Sequence, residues 1–161
     1  MNGFTHEPSA SHNYDWYTPP EIFTKLGLTF DLDPCSPGIN KCHVPTRNAY
    51  VLPQDGLIEP WFGLVWCNPP YGRETGKWIE RCKQHGEAIA LVFARTGTKW
   101  FQATAQSTSA ICFIKSRVKF IHAQTMQPAA SAGADSMLMC WGDQAKTAIL
   151  KSDLGIIAEI I

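Results

Sequence analysis

The 161-residue sequence has none of the marks of a membrane, secreted or zinc-binding protein. No apolar run approaches the ~18 residues of a membrane span. The start, "MNGFTHEPSASHNYDW", has neither the basic nor the apolar region of a signal peptide. The six cysteines form no CxxC pair, and Cys35, Cys42 and His43 match no common zinc spacing. We therefore expect a cytoplasmic protein without a metal site, whose cysteines are reduced and mostly buried.

The sequence also lacks net charge, because 14 Lys and Arg residues balance 14 Asp and Glu residues. The two signs are nevertheless separated along the chain. Lys and Arg number three against seven Asp and Glu in residues 1–72, nine against three in residues 73–119, and two against four in residues 120–161. A basic surface formed by residues 73–119 would suit a polyanion such as DNA; the alternative is a set of dispersed, solvated side chains.

Apolar patterns and turn residues predict strands that alternate with helices. The predicted strands are "LTFDLD", "GLVWCN", "AIALVFA", "AICFIK" and "SMLMCW", and the predicted helices are "TPPEIFTKLG", "TGKWIERCKQHG" and "GTKWFQATAQ". This alternation predicts an open α/β sheet with parallel central strands. We expect a single domain over residues 1–161, with residues 1–13 loose and no room for a separate target-recognition domain.

Two polar residues come at the ends of predicted strands, Asp33 in "LTFDLD" and Asn68 in "GLVWCN". Ligands of open α/β sheets bind beyond the carboxyl ends of the strands, so both residues are candidate site residues. Asn68 opens the stretch "NPPYG", whose prolines end the strand and stiffen the turn that follows.

The "NPPY" turn has the groups needed to activate an exocyclic aromatic amine such as N6 of adenine, whose lone pair is delocalised into the ring. The side-chain carbonyl of Asn68 and the main-chain carbonyl of Pro69 can accept the two N–H bonds and draw the nitrogen towards tetrahedral geometry. The two prolines fix these oxygens in advance, and Tyr71 offers a flat face on which a base can stack. An amine held in this way can attack an electrophilic methyl group directly.

The residues Asn68-Pro69-Pro70-Tyr71 resemble the catalytic motif D/N/S-P-P-Y/F of amino-methyltransferases that use S-adenosylmethionine (AdoMet). The resemblance implies that these four residues are catalytic. Three other stretches, "YTPPE", "DLDPC" and "QDGL", resemble cofactor-binding motifs of adenine methyltransferases. They imply the following AdoMet-binding residues: Tyr17, Thr18, Pro19, Asp33, Pro34, Asp55 and Asn68.

From about Trp16 to Trp141, the ordered motifs resemble the small phage and prophage DNA N6-adenine methyltransferase family. The resemblance implies a Rossmann-like, AdoMet-dependent methyltransferase fold with a mostly parallel sheet. The sheet should be reduced in size, since "CSPG" has one glycine and no predicted helix follows Asp33.

The same resemblance implies site-specific methylation of a flipped adenine in double-stranded DNA. It also implies a role linked to restriction-modification in the cytoplasm, that of the host cell for a phage-encoded protein. Contacts to the DNA backbone are expected from basic residues in or near the segments after strand ends: Arg73, Arg95, Lys99, Arg117 and Lys119.

Two alternatives stay open beside DNA methylation. The first is an enzyme that uses the same turn to methylate RNA or a protein glutamine side chain. The second is a degenerate methyltransferase fold that binds DNA without turnover. The basic stretch of residues 73–119 favours DNA as the substrate. The intact Asn68-Pro69-Pro70-Tyr71 turn argues against an inert binding module.

Overall fold

The computed structural model describes residues 16–130 and 132–161, which form seven strands and four helices. The strands are β1 (Trp16–Tyr17), β2 (Val65–Cys67), β3 (Ala88–Phe93), β4 (Ala110–Ile114), β5 (Ile121–His122), β6 (Ser136–Trp141) and β7 (Gly155–Glu159). The helices are α1 (Pro20–Leu26), α2 (Thr75–His85), α3 (Lys99–Thr104) and α4 (Asp143–Lys151). Within the described ranges, no helix combines the length and the apolar character that crossing a membrane requires.

A five-stranded mixed sheet lies at the centre of the fold, in the order β2-β3-β6-β4-β7. Only β2 and β3 pair in parallel; the β3–β6, β6–β4 and β4–β7 pairings are antiparallel. The prediction of a mostly parallel sheet is therefore wrong. The physical reason is the connection from β4 to β6: residues 115–130 and 132–135 contain no helix, and a return without a crossover joins antiparallel strands.

Four segments of the sheet nevertheless end at the same edge. Because β3 and β4 are both antiparallel to β6, they point in the same direction, and β2 points with β3. Residues 30–33 extend the sheet beside β2, since Leu32 bridges Val65 in parallel, and Asp33 bridges Ala49 in parallel on its other side. We call the edge that follows Asp33, Cys67, β3 and β4 the carboxyl edge.

Helices cover both faces of the sheet. On one face, Phe23 of α1 and Ile149 of α4 pack in a cluster with Trp66, Ile89 and Leu138. On the other face, α2 and α3 pack against the alternate strand residues, which include Val65, Ala90 and Met139. Five of the six cysteines are buried, as predicted: Cys35, Cys67, Cys82, Cys112 and Cys140.

The local predictions succeed for most elements. Helices α1 and α2 end at Gly27 and Gly86, and the Thr98 hydroxyl caps α3 by accepting from the Phe101 N–H at 3.3 Å. A threonine before the first helical residues, such as Thr18, is a typical helix cap, but the residue at the cap of α1 is Pro19 and no side chain bonds there. Helix α4 and strand β7 lie in "DQAKTAILK" and "GIIAE", where no element was predicted.

Candidate active site

The turn Asn68–Gly72 follows β2 at the carboxyl edge, where the sequence predicts it. A buried threonine at the start of α2 holds this turn. The Thr75 hydroxyl donates to the Pro70 carbonyl at 2.9 Å and accepts from the Gly72 N–H at 3.0 Å. Thr75 is only 4% exposed, so neither bond competes strongly with water. The turn is thus fixed by internal bonds as well as by its two prolines.

Asn68 is half-buried and contacts a residue 50 positions earlier in the chain. Its side-chain Nδ2 donates to the Thr18 hydroxyl at 3.3 Å. Thr18 is buried and follows β1, which pairs with β5. The structure therefore brings the N-terminal "YTPPE" segment against the first residue of the "NPPYG" turn.

Tyr71 is anchored rather than free to rotate. Its hydroxyl donates to the Leu91 carbonyl at 3.3 Å, and its ring centroid lies 4.4 Å from that of Phe93 with the ring planes at 40°. Burial raises the pKa of Tyr71 far above its ordinary value, so the phenol stays neutral. Tyr71 as a whole is 8% exposed, and it lines the pocket beside the turn.

An open pocket of about 390 Å³ lies next to the turn. Its walls combine three aromatic rings, two guanidinium groups and smaller residues: Tyr71, Phe93, Trp100, Arg73, Arg95, Gly72, Thr75 and Thr98. The Arg95 guanidinium lies 5.8 Å from the centroid of the Phe93 ring. Aromatic faces next to cations suit a flat base that carries a phosphate.

Asp33 is a buried acid at the carboxyl edge, and its side chain is 2% exposed. Burial raises the pKa of Asp33 to about 7, although hydrogen bonds from the Cys35 N–H and the Ser36 hydroxyl lower it in part. The Cys35 N–H lies 3.1 Å from Oδ1 of Asp33. A buried carboxyl with a pKa near neutrality is an unusual group to keep for structure alone, and such groups are common at ligand sites.

The loop of Asp55 packs directly against the backbone that follows Asp33. Asp55 itself is exposed, and its Oδ1 accepts from the Leu57 N–H at 2.9 Å. Gly56 is buried so closely against Pro34 that a Cβ on Gly56 would overlap the Pro34 carbonyl oxygen. The structure thus joins the "DLDPC" and "QDGL" segments, while the Asp55 carboxylate already stabilises its own turn.

The predicted DNA-binding residues fall into two groups. Arg73 and Arg95 line the pocket beside Tyr71, and Lys99 is exposed at the start of α3. Arg117 and Lys119 lie in the segment after β4. The Arg117 guanidinium is 3.4 Å from the Asp135 carboxylate and donates to the Ala132 carbonyl at 3.3 Å. Part of its capacity to pair with a phosphate is therefore already used within the protein.

Sequence patterns missed three residues at the pocket. The apolar spacing of "GTKWFQATAQ" favours a core position for Trp100, but this residue is half-buried and lines the pocket while it packs on the core. Phe93 has no sequence signal beyond its place at the end of a strand. Thr75 has a weak one, since a hydroxyl residue in the first turn of a helix commonly bonds the preceding loop.

Comparison with known proteins gives one match. The family model described as DNA N-6-adenine-methyltransferase (Dam) matches residues 5–155. No curated protein and no solved structure matches the chain.

Proposed function

Since the chain belongs to the DNA N-6-adenine-methyltransferase (Dam) family, we propose that it transfers a methyl group from AdoMet to N6 of an adenine in double-stranded DNA. Membership of the family supports DNA adenine-N6 methylation as the general activity. The observation that supports the finer statement is the Asn68–Tyr71 turn, which lies at the carboxyl edge beside a pocket of aromatic and cationic side chains.

In this mechanism the turn holds the target amine. The Asn68 side-chain carbonyl and the Pro69 carbonyl accept its two N–H bonds, and the nitrogen lone pair is thereby freed from the ring for attack. When bound, AdoMet would supply an electrophilic methyl group on a sulfonium, and the amine held by Asn68 and Pro69 would take this methyl group while the sulfur keeps the electrons of the broken S–CH₃ bond. The extra proton on the nitrogen then leaves to water, so no strong base is required of the chain.

The pocket beside Tyr71 would receive the adenine after it leaves the helical stack. Tyr71 and Phe93 present ring surface for stacking, as other enzymes do for extruded bases. Arg73 and Arg95 are placed to bind the flanking phosphates, and Lys99 continues this basic surface along α3.

The residues present fit AdoMet at the neighbouring part of the carboxyl edge. The buried Asp33 carboxyl would be stabilised in its ionised form by a cationic ligand, which offsets the cost of its burial. Tyr17, Pro19, Pro34 and Asp55 complete the proposed cofactor site, and Thr18, which the same motif implies, contacts Asn68. Asp55 would act there while it keeps its bond to Leu57.

We also infer that the sheet is a reduced form of the Rossmann-like methyltransferase fold. Residues 30–33, β2, β3 and β4 all point towards the carboxyl edge, and helices cover both faces. Residues 34–64 contain no helix, which agrees with a shortened cofactor half. We propose one methyltransferase domain over residues 1–161 that acts in the cytoplasm, where its DNA substrate would lie.

The test is an incubation with methyl-labelled AdoMet and duplex DNAs of varied sequence, followed by digestion to nucleosides. We expect label in N6-methyladenine, and Asn68→Ala should lower the initial rate by ~100-fold or more. Asn68→Asp should keep partial activity, since a carboxylate still accepts two N–H bonds. Gln84→Ala is the matched control, because it removes a carboxamide from the distant, exposed end of α2.

Three results would contradict the proposal. Label that enters RNA or a protein glutamine instead of DNA would reassign the substrate. DNA binding without any methyl transfer would favour the inert binding module. A rate for Asn68→Ala close to that of Gln84→Ala would remove the amine-holding role from Asn68.

A further inference from the structure

The Thr18 hydroxyl is the partner of the Asn68 side-chain amide, at 3.3 Å from Nδ2. Thr18 is held on both sides along the chain. Before it, Tyr17 pairs with Ile121 in the β1–β5 ladder, and after it, Pro19 takes φ −65° at the start of α1. With 4% of its surface exposed, Thr18 has little room to move. Its hydroxyl is therefore a fixed point against which the amide can be aligned.

The chemistry proposed for Asn68 depends on which end of its amide faces the target. The oxygen accepts hydrogen bonds, whereas the nitrogen donates them and would oppose the N–H bonds of an amine. The terminal torsion of an asparagine side chain is broad and roughly two-fold, so it does not choose between the two orientations by itself. With Nδ2 donating to the Thr18 hydroxyl, Oδ1 points away from Thr18 within the same amide plane.

On this basis we propose that Thr18 is a positioning residue, which orients the Asn68 amide so that its oxygen can accept from the target amine. The proposal rests on the proposed function of Asn68. It gives Thr18 a role that differs from contact with AdoMet, the role that its "YTPPE" motif implies. Loss of a contact with the cofactor would lower AdoMet affinity, whereas loss of the Asn68 orientation would lower the rate of methyl transfer at saturating AdoMet and DNA.

The kinetic test compares Thr18→Val, which keeps the shape without the hydroxyl, with Thr18→Ser, which keeps the hydroxyl. Single-turnover methyl transfer is measured at saturating AdoMet and DNA, and AdoMet affinity by calorimetry. We expect Thr18→Val to lose about 10-fold in rate with AdoMet affinity within about threefold of the parent, and Thr18→Ser to stay within about twofold in rate.

A second readout does not require turnover. In the ¹H–¹⁵N spectrum the side-chain NH₂ signals of Asn68 are assigned by their disappearance in Asn68→Asp. In Thr18→Val these signals should shift and exchange with water faster, while Thr18→Ser should keep them near the parent positions. If Thr18→Val does not fold, Thr18→Ala takes its place under the same criteria.

The results separate this proposal from the proposed function. An unchanged rate and unchanged Asn68 signals in Thr18→Val would overturn the positioning role, and so would a Thr18→Ser variant as slow as Thr18→Val. Loss of AdoMet affinity with a normal rate at saturation would make Thr18 a cofactor contact only. A parent protein that makes no N6-methyladenine would refute the proposed function, while the Asn68 signals would still decide whether Thr18 orients the amide.

Discussion

Gly56 offers a way to perturb the proposed cofactor site without touching a polar group. A methyl group added there would overlap the Pro34 carbonyl oxygen and would lie 2.9 Å from Cη2 of Trp78. Trp78 is 7% exposed on α2 and packs in the core of that face, which restricts movement of its ring. The Gly56→Ala variant must therefore push the Asp55 loop away from the backbone that follows Asp33.

The size of the effect follows from the overlap. Non-bonded carbon atoms sit about 3.5 Å or more apart, so the two segments have to separate by on the order of 1 Å. Overpacking of this kind costs about 1–3 kcal/mol of folding free energy. For a domain of this size, Tm should fall by roughly 2–4 °C for each kcal/mol. Because Asp33 and Asp55 are proposed to bind AdoMet from the two separated segments, affinity should fall by about 10-fold or more.

Two other glycine substitutions serve as controls. The Cβ that Gly97→Ala adds would have no neighbour within 4 Å, so this variant should change neither Tm nor AdoMet affinity. Gly155→Ala would overlap the Phe113 carbonyl oxygen in the β4–β7 pair and should lower Tm without changing AdoMet affinity. Calorimetry with AdoMet and thermal denaturation measure the two effects. If Gly56→Ala binds AdoMet as tightly as Gly155→Ala does, the cofactor does not bind between the Asp33 and Asp55 segments.

Three more outcomes are expected. The pKa of Asp33, raised to about 7 by burial, means that the parent loses stability as pH rises from about 4 to 7, because the native carboxyl stays protonated while the unfolded one ionises. Asp33→Asn should therefore be more stable than the parent at pH 8 by roughly 2–4 kcal/mol and nearly equal to it at pH 4. Denaturant titrations that give the same difference in unfolding free energy at both pH values would refute this. Thr75→Val should lose about 10-fold in kcat with DNA affinity retained, since both bonds to the Asn68–Gly72 turn are lost, and Thr75→Ser should restore the rate; equal rates for both variants and the parent would exclude a role of Thr75 in holding the turn. Removing Arg117 and Lys119 together should weaken binding to all duplexes alike. The slope of log K against log salt concentration should flatten by about one to two units, and by less than two because Arg117 is already paired with Asp135. A loss of affinity for some sequences only would indicate base contacts instead.

The position of the site could be predicted from sequence because its signals are local. Asp33 and Asn68 each end an apolar segment, and a proline follows each directly. Such a pattern marks the end of a strand whichever way its neighbours run. The structure places both residues at the carboxyl edge, as predicted; of the parallel pairings that were assumed, β2–β3 is correct, whereas β3–β6 and β6–β4 are antiparallel.

The strand pairing could not be predicted, because it depends on contacts between distant parts of the chain. "AIALVFA", "AICFIK" and "SMLMCW" are all buried apolar runs, and such runs are typical of parallel strands. The insertion of β6 between β3 and β4 buries the same side chains equally well. Likewise, nothing in "TGTKWF" distinguishes a tryptophan in the core from one that also lines a pocket, and the Thr18–Asn68 contact joins residues 50 positions apart.

The antiparallel direction of β6 has a consequence for how this small chain can acquire specificity. A crossover between parallel strands has to travel back along a face of the sheet, which ties its length to the packing of a helix. Residues 115–130 and 132–135 instead leave β4 and re-enter the sheet at β6 on the carboxyl edge, where the Asp135 carbonyl accepts from the Ala94 N–H next to Phe93 and Arg95 of the proposed site for DNA. Val118 and Phe120 of this segment are buried in the core, and Ile121 pairs with Tyr17 next to Thr18, so insertions and deletions are expected to be tolerated only in the exposed stretch after His122. If this chain recognises a particular DNA sequence, as we propose, the exposed residues after His122 are the part of the connection that can change without disturbing the core.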